Sequence, residues 1–308
     1  MDVIEISLGV VLLIQIISGI SVNAFLLLFY TSTVSASHKF SSSDLIFAHL
    51  AMANTIILLT SGLLETMSAW GLRNFLNNIG CKILLYLYRV SRGLAICTTC
   101  LLSIFQAITI SPGTSRWVGV KARLPKCIIP CCLFSWIFNL LLEMITPMNF
   151  TGPQNNSSVR YPLDLKYCSR VSLSATINQV VAVVLSTRDL LFVALMSVAS
   201  GYMVYVLCRH HRRVQHLHRP GHSPRAMPEV TAAKRVVALV MLYVLLYGRQ
   251  SITLSFILNM KESPPLLLNA HMVLSFTFST LSPFLVIHSD RRMRIFVHRK
   301  SASSLDPS

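Results

Sequence analysis

Long runs of apolar residues, separated by short polar stretches, dominate the chain from near its beginning almost to its end. Each run is about as long as a membrane-spanning helix, which needs ~20 mostly apolar residues to cross a hydrocarbon core of ~30 Å. We therefore predict an all-α membrane protein built as a seven-transmembrane helix bundle. The predicted spans lie at roughly residues 5–30, 43–64, 81–110, 128–147, 181–207, 236–258 and 267–288.

The composition agrees with this pattern. The chain has 308 residues, of which 53% are hydrophobic and only 12% charged, and its mean hydropathy is +0.61. A soluble domain needs more polar surface, so we predict one membrane domain over residues 1–308 that ends in a short tail, 289–308. The first apolar run has no basic segment before it and no small-residue cleavage site after it, so we predict no removable signal peptide.

Lysine and arginine are unevenly distributed between the loops. Of the 27 such residues, 17 lie in the first, third and fifth loops and the tail, five lie in the other loops, and five lie within or at the edges of spans. Short cytoplasmic loops carry an excess of positive charge. We therefore predict that the amino terminus lies outside and the tail lies in the cytoplasm.

Glycosylation acceptors give an independent indication of orientation. Asn149, Asn155 and Asn156 each begin an Asn-X-Ser/Thr motif, and all three fall in the loop that the charge distribution assigns to the outside. We therefore predict these three as glycosylation sites.

The net charge of +16 raises the question of nucleic-acid binding. Most of the excess, however, lies in the predicted cytoplasmic loops, where a basic surface attracts anionic membrane lipid and acidic protein surfaces. We therefore predict no nucleic-acid partner.

Two of the eight cysteines share the predicted outer side. Cys81 opens the third span and Cys168 lies in the long outer loop, where the environment is oxidising, so we predict a disulfide between them; two free thiols are the alternative. A CxxC pair inside the third span, Cys97 and Cys100, is expected to pack instead of performing redox or metal chemistry. The thiols near the inner end of the fourth span either pack or carry a lipid: Cys127, Cys131 and Cys132.

This architecture resembles that of the G-protein-coupled receptors, which share seven spans, an outside amino terminus and a disulfide from the third span to the second outer loop. Asn23, Asn54 and Trp136 stand where such receptors commonly place anchors between helices. Such buried polar groups are also expected on packing grounds alone, because they hydrogen-bond to neighbouring helices.

Two motifs differ from the common rhodopsin-like pattern and point to a different family of receptors. Phe105-Gln106-Ala107 stands in place of Asp-Arg-Tyr, and Ser282-Pro283 in place of Asn-Pro. The chain is similar instead to the type 1 vomeronasal receptors, a family of pheromone receptors, and bitter taste receptors are the nearest alternative. The similar segments are LYLYRVSRGLAICTTCLLSIFQAITISP (85–112), RDLLFVALMSVASGYMV (188–204), RHHRRVQHLHRPGHSPRAMPE (209–229) and FSTLSPFLVIHSDRRM (278–293).

Ionisable residues inside the predicted spans gather at one depth in the outer half of the bundle. Their burial costs ~2.5–3.5 kcal/mol each even on the lenient insertion scale, so each is a functional candidate. Two interpretations stay open. Either an arginine pairs with a carboxylate and locks two helices together, or the excess of arginine binds an anionic or hydroxyl-rich ligand, such as a sulfated steroid, beside an amphipathic wall formed by Tyr88. The arginines are Arg89, Arg92, Arg188 and Arg249, and the carboxylates are Glu143 and Asp189.

The resemblance implies that the receptor binds a small pheromone or odorant and that its basic inner face contacts a heterotrimeric G protein of the inhibitory class. The candidate contacts are Gln106, Arg116, Arg212 and Arg213. Five histidines in the loop 209–229 also suggest a metal site, but the neighbouring arginines repel cations and the prolines prevent a fixed ligand cage, so we predict none.

Three other classes of protein fit the sequence less well. A transporter predicts internal repeats or paired broken spans, which we do not find. An intramembrane hydrolase predicts convergent histidine and acidic residues, whereas the spans contain few histidines, among them His49 near an inner end and His271. We therefore predict neither an enzyme nor a cofactor. A decayed receptor that inserts without signalling stays open, because the charge of Arg249 is costly at its depth.

Overall fold

A computed structural model of the chain describes part of it in detail. The described residues are 3–37, 42–112, 115–152, 167–170, 175–217, 234, 236–246 and 265–289.

Nine α-helices account for most of the described chain, and six stretches are long and apolar enough to cross a membrane. The predicted sixth span, 236–258, is described only over its first eleven residues, which form a shorter apolar helix. The helices are α1 (Val3–Ser37), α2 (Ser42–Ile57), α3 (Leu63–Ala69), α4 (Asn78–Ile110), α5 (Ser115–Leu142), α6 (Thr146–Asn149), α7 (Ala175–Leu217), α8 (Val236–Leu246) and α9 (Pro265–Ser289).

Several helices extend beyond the predicted spans. Helix α5 begins at Ser115 although its apolar run begins near 128, and α7 continues to Leu217 although its run ends near 207. The apolar run marks only the part of a helix that lies in hydrocarbon, whereas backbone hydrogen bonds continue the helix into the polar region.

Helix α4 lies at the centre of the bundle. In its most apolar stretch 67% of the residues are buried, against 22% in the corresponding stretches of α5 and α7. Large apolar side chains on α5 and α7 instead face outward, including Phe134, Leu190 and Val198. An outward apolar surface of this kind is what a helix presents to lipid, and it identifies a multi-pass membrane protein.

Helices α1, α2 and α9 meet through hydrogen bonds between buried polar side chains. Asn23 donates from Nδ2 to the Ser279 carbonyl at 2.9 Å, and Asn54 donates from Nδ2 to the Ser282 hydroxyl at 3.0 Å. Asn23 and Asn54 are therefore anchors between helices, as predicted. A close approach at Gly19 supports this contact, because a Cβ there would lie 2.7 Å from Leu58 and 3.0 Å from Thr280.

A single π-helical turn, Leu58–Gly62, separates α2 from α3. The Leu63 N–H donates to the Leu58 carbonyl, five residues back, in place of the usual four. Within the turn, the Thr60 hydroxyl donates to the Ile56 carbonyl at 2.6 Å.

The outer end of α4 is covered by the second outer loop. A disulfide joins Cys81 to Cys168, so this prediction is confirmed. Beside it, two short antiparallel strands, β1 (Phe150–Thr151) and β2 (Ser169–Arg170), pair Phe150 with Arg170 and Thr151 with Ser169.

Tyr167 fixes the covering loop against α3. Its side chain is only 1% exposed, and its hydroxyl donates to Glu65 Oε1 at 3.0 Å. Burial, and secondarily the Glu65 carboxylate, raise the pKa of the Tyr167 phenol well above its usual value. The phenol therefore stays protonated at physiological pH and remains a donor to Glu65.

The disulfide provides the first testable prediction. Cys81→Ser, Cys168→Ser and the double variant should lose about the same stability, of the order of 2–5 kcal/mol, because each removes the same crosslink. The measurement is the thermal unfolding of the purified protein in detergent, with Cys132→Ser as a matched control outside the bridge. Additive losses in the double variant would contradict the pairing.

Candidate functional site

The guanidinium group of Arg188 lies at the centre of a buried ionic cluster between α5 and α7. Its Nη1 lies 3.1 Å from Glu143 Oε1, and its Nε donates to Asp189 Oδ1 at 2.9 Å. Nη1 also donates to Asn139 Oδ1 at 3.4 Å. One arginine therefore contacts both carboxylates, and it joins α7 to the outer end of α5.

Both carboxylates are almost fully buried. Glu143 is 1% exposed and Asp189 is 5% exposed, so water contributes little to the stabilisation of either charge. A buried carboxylate is tolerated only when it is paired and hydrogen-bonded. Glu143 meets this condition twice, because its Oε2 also accepts a hydrogen bond of 2.9 Å from the Thr146 hydroxyl.

Two further arginines extend from α4 to the rim of the cluster. Arg89 Nη1 lies 3.9 Å from Glu143 Oε2, and Arg92 Nη2 lies 3.7 Å from Asp189 Oδ2. These separations exceed those of Arg188, and the two side chains are 32% and 37% exposed. Arg89 also stacks over Phe150, with Cζ 5.6 Å from the ring centroid. Three arginines and two carboxylates give this part of the cluster a formal charge of +1.

A glycine on α4 makes room for the centre of the cluster. A Cβ on Gly93 would lie 2.0 Å from Asn139 Oδ1 and 3.0 Å from Arg188 Nη1. No side chain larger than hydrogen fits there without moving both groups. Asn139 is held in this position by its own hydrogen bond, in which Nδ2 donates to the Ser135 carbonyl at 2.8 Å.

A cavity of about 40 Å³ lies between α2, α4, α8 and α9, next to the rim of the cluster. Its lining combines apolar and polar groups, and Arg92 is the cluster residue that lines it. A volume of this size holds a few water molecules and no organic ligand of the size of a steroid. The lining also includes Tyr88, Tyr243, Ser275 and Phe278.

Two tyrosines near the outer end of α4, Tyr86 and Tyr88, face different neighbours. Tyr88 lines the cavity, whereas the Tyr86 hydroxyl donates to the Leu140 carbonyl of α5 at 2.9 Å. Tyr88 is therefore the one of the two that lies beside Arg92 at the cavity, and its contact with a ligand stays a prediction.

Comparison with known proteins decides the family. The model of the "Vomeronasal organ pheromone receptor family" matches residues 6–299. The chain belongs to the type 1 vomeronasal receptor family. Vomeronasal type-1 receptor 4 of Homo sapiens is 38% identical over 279 residues, which cover 91% of this chain and 93% of the relative. Olfactory receptor class A-like protein 1 of Danio rerio is 35% identical over 290 residues, which cover 93% of this chain and 90% of the relative.

The resemblance found in the sequence is thereby confirmed. The protein is a chemosensory receptor and a multi-pass membrane protein. This membership favours the vomeronasal family over the bitter taste receptors and transporters, and the family is one of receptors and not of enzymes.

Most of the ionisable candidates of this vomeronasal receptor meet in one cluster, and Tyr88 joins Arg92 at the cavity. Arg249 lies outside the described residues. Its role stays a prediction, as does ligand binding by the other six candidates, which are Tyr88, Arg89, Arg92, Glu143, Arg188 and Asp189.

The other predicted sites are described only in part. Asn149 is 4% exposed, and Asn155 and Asn156 lie outside the described residues, so glycosylation remains a prediction. At the inner face Gln106 is buried on α4 and Arg212 is exposed on α7. The side chains of Arg116 and Arg213 lie outside the described set, and contact with a G protein also remains a prediction.

The sequence analysis missed Asn139, Gly93 and Thr146. Asn139 precedes Glu143 by four residues, so both lie on one face of α5, and this spacing was a usable signal. The sequence around Thr146 does not distinguish it from any other polar residue at a helix end. Gly93 had no signal of its own, because its function depends on which side chains approach it from α5 and α7.

Removal of the central charge should destabilise the receptor strongly. Arg188→Gln leaves Glu143 and Asp189 buried without their shared partner, so we expect a loss of about 3–5 kcal/mol in thermal unfolding. Arg188→Lys should lose less, because it keeps the charge but not the forked geometry. Combining Arg188→Gln with Glu143→Gln should restore part of the loss. Normal unfolding of Arg188→Gln would show that the cluster is not a stabilising element.

The close approach at Gly93 can be tested against a second helical glycine. Gly93→Ala should destabilise the receptor, since its Cβ collides with Asn139, and Asn139→Ala should relieve the collision in the double variant. Gly201→Ala is the matched control, because nothing lies within 4 Å of a Cβ at that position. Alanine there should be neutral or stabilising by up to about 1 kcal/mol. Equal unfolding temperatures for the two alanine variants would exclude the proposed contact.

Proposed function

We propose that this receptor binds a small, mostly apolar pheromone or odorant in the outer half of its helix bundle and activates a heterotrimeric G protein of the inhibitory class. The observation that carries the proposal is the position of Arg92, which both lines the cavity and lies 3.7 Å from Asp189. A ligand that enters the cavity therefore meets a charged group that is already part of a contact between helices.

Arg92 is the arginine best suited to exchange a protein partner for a ligand. Arg188 contacts both carboxylates at 3.1 Å or less, whereas the Arg92 pair is longer and its side chain is 37% exposed. Exchange of a longer, partly hydrated pair costs less than exchange of a short buried one. An anionic or hydroxyl-rich ligand such as a sulfated steroid fits this donor through bidentate contacts, beside the amphipathic ring of Tyr88.

Ligand binding reaches the inner face through a shift between two helix arrangements. A ligand that contacts one arrangement better than the other increases the population of that arrangement, and a partner that binds it from inside acts in the same direction. The cavity must widen to admit an organic molecule, because its present volume is about 40 Å³. Its walls belong to α2, α4, α8 and α9, so the widening moves one or more of these helices.

We also propose seven spans with the amino terminus outside. The disulfide and Asn149 lie at one end of the bundle, whereas exposed basic side chains of α5 and α7 lie at the other end. This distribution supports the positive-inside orientation. The exposed basic residues Arg123, Lys126, Arg209 and Arg212 supply a surface that suits acidic groups of a G protein or of membrane lipid.

The test is a signalling assay in cells that co-express an inhibitory G protein, with panels of volatile, steroid and sulfated-steroid compounds. For the compound that activates the parent receptor, Arg92→Gln should raise the half-maximal concentration at least about tenfold, the value of one charge-assisted hydrogen bond. Arg92→Lys should lie in between. Arg89→Gln is the comparison variant, because Arg89 pairs with Glu143 and stacks on Phe150 but is not among the residues that line the cavity, so we expect it to raise the half-maximal concentration less than Arg92→Gln does.

Surface staining of an amino-terminal epitope on intact cells accompanies each variant. It checks that the receptor reaches the surface and that its amino terminus lies outside. Equal potency of Arg92→Gln and the parent, at equal staining, would exclude Arg92 as a ligand contact. A parent receptor that stains normally but activates no G protein with any compound would favour the decayed receptor.

A further inference from the structure

The inner ends of α4, α5 and α7 meet around a single residue, Ser111. Helix α4 ends at Ile110, Ser111 is its cap, and Pro112 follows. Lys121 of α5 and Tyr202 of α7 both reach this cap. Three hydrogen bonds therefore join three helices at one point, on the side of the membrane where a G protein would bind.

Lys121 contacts the carbonyl groups at the end of α4. Its Nζ donates to the Thr109 carbonyl at 2.9 Å and to the Ser111 carbonyl at 2.6 Å. The last carbonyls of a helix have no N–H partner in the helix itself, and they carry the negative end of its dipole. The ammonium group of Lys121 supplies the missing donors and places a positive charge at the negative end of the dipole. It also joins α5 to the end of α4.

Tyr202 joins α7 to the same cap, and the direction of its hydrogen bond follows from the neighbouring one. The Ser111 hydroxyl donates its one proton to the Ala107 carbonyl at 2.8 Å. It therefore accepts in its 3.0 Å contact with the Tyr202 hydroxyl, and Tyr202 is the donor. Loss of this phenol hydroxyl removes the hydrogen bond without removing the ring.

We infer that Lys121, Ser111 and Tyr202 form an inner latch that holds α4, α5 and α7 together in the ligand-free arrangement and opens during activation. The inference rests on the proposed function. The arrangement that contains the latch also has a ligand cavity of only about 40 Å³, so it is the arrangement that an organic ligand disfavours. The three are positioning residues, since none of them lies at the cavity.

The neighbouring Gln106 does not supply a comparable lock. It is 6% exposed on α4, one helical turn before the cap, and it carries no charge. The charge in this region comes instead from Lys121, whose two acceptors are backbone carbonyls. Side-chain substitutions on α4 therefore leave the Lys121 contacts in place, and the latch is best tested from α5 and α7.

The experiment measures the distance between α5 and α7 directly, by pulsed electron spin resonance on purified receptor. Cys127 on α5 and Cys208 on α7 are exposed and provide natural sites for nitroxide labels. Cys131, which is partly exposed, is replaced by serine in every variant, whereas Cys97, Cys100 and Cys132 are buried. No G protein is needed for this measurement.

Tyr202→Phe should increase the population with separated helices about two- to tenfold, the equilibrium equivalent of one hydrogen bond. Lys121→Gln should do the same, and Lys121→Arg should keep the parent distribution because it keeps the charge and the donors. Tyr205→Phe is the matched control, since Tyr205 lies on the same helix with its side chain 59% exposed. Unchanged distances in both Tyr202→Phe and Lys121→Gln would overturn the latch.

A signalling measurement separates failure of the latch from failure of the proposed function. Basal G-protein activation, corrected for surface staining, should rise by the same factor in Tyr202→Phe and Lys121→Gln. A purely structural cap would lower the unfolding temperature with neither a distance change nor a rise in basal activity, and that result would also overturn the latch. Separated helices without activation of any G protein would support the latch and contradict the proposed coupling.

Discussion

The fold of the outer half depends on one constraint, the neutralisation of two carboxylates that lie almost out of contact with water. Glu143 directly follows the end of α5 and Asp189 lies on α7, and both depend on the guanidinium group of Arg188. Neither carboxylate could remain at this depth alone, because an ionised group in a medium of low dielectric constant is very unfavourable. The relative position of α5 and α7 is therefore determined by the reach of one side chain.

Helix α4 adapts to this constraint instead of creating it. Gly93 removes a side chain where Asn139 and Arg188 approach, and Arg89 and Arg92 add positive charge at the rim. Helix α4 therefore has no side chain where Asn139 and Arg188 approach it, and it presents the polar group of Arg92 to the cavity. Under the proposed function, a ligand would contact Arg92 without access to the buried contacts of Arg188 with the two carboxylates.

Much of this was predictable from the sequence. Apolar runs indicated the helices, loop chemistry indicated the Cys81–Cys168 bridge, and the cost of burial identified the ionisable layer. Which arginine is central was not predictable, because a helix that is apolar on nearly every face carries little information about its rotation. Gly93 and the contacts of Lys121 with the end of α4 depend on tertiary approach, which no pattern within one helix encodes.

The π-helical turn Leu58–Gly62 sets the rotation of α3 relative to α2. A wider turn accommodates one additional residue, and each residue rotates the following helix by about 100°. The face of α3 that carries Glu65 toward Tyr167 therefore depends on that extra residue. A relative that lacks it would turn Glu65 away from the outer loop, so a one-residue gap at this turn should coincide with a change at the tyrosine position.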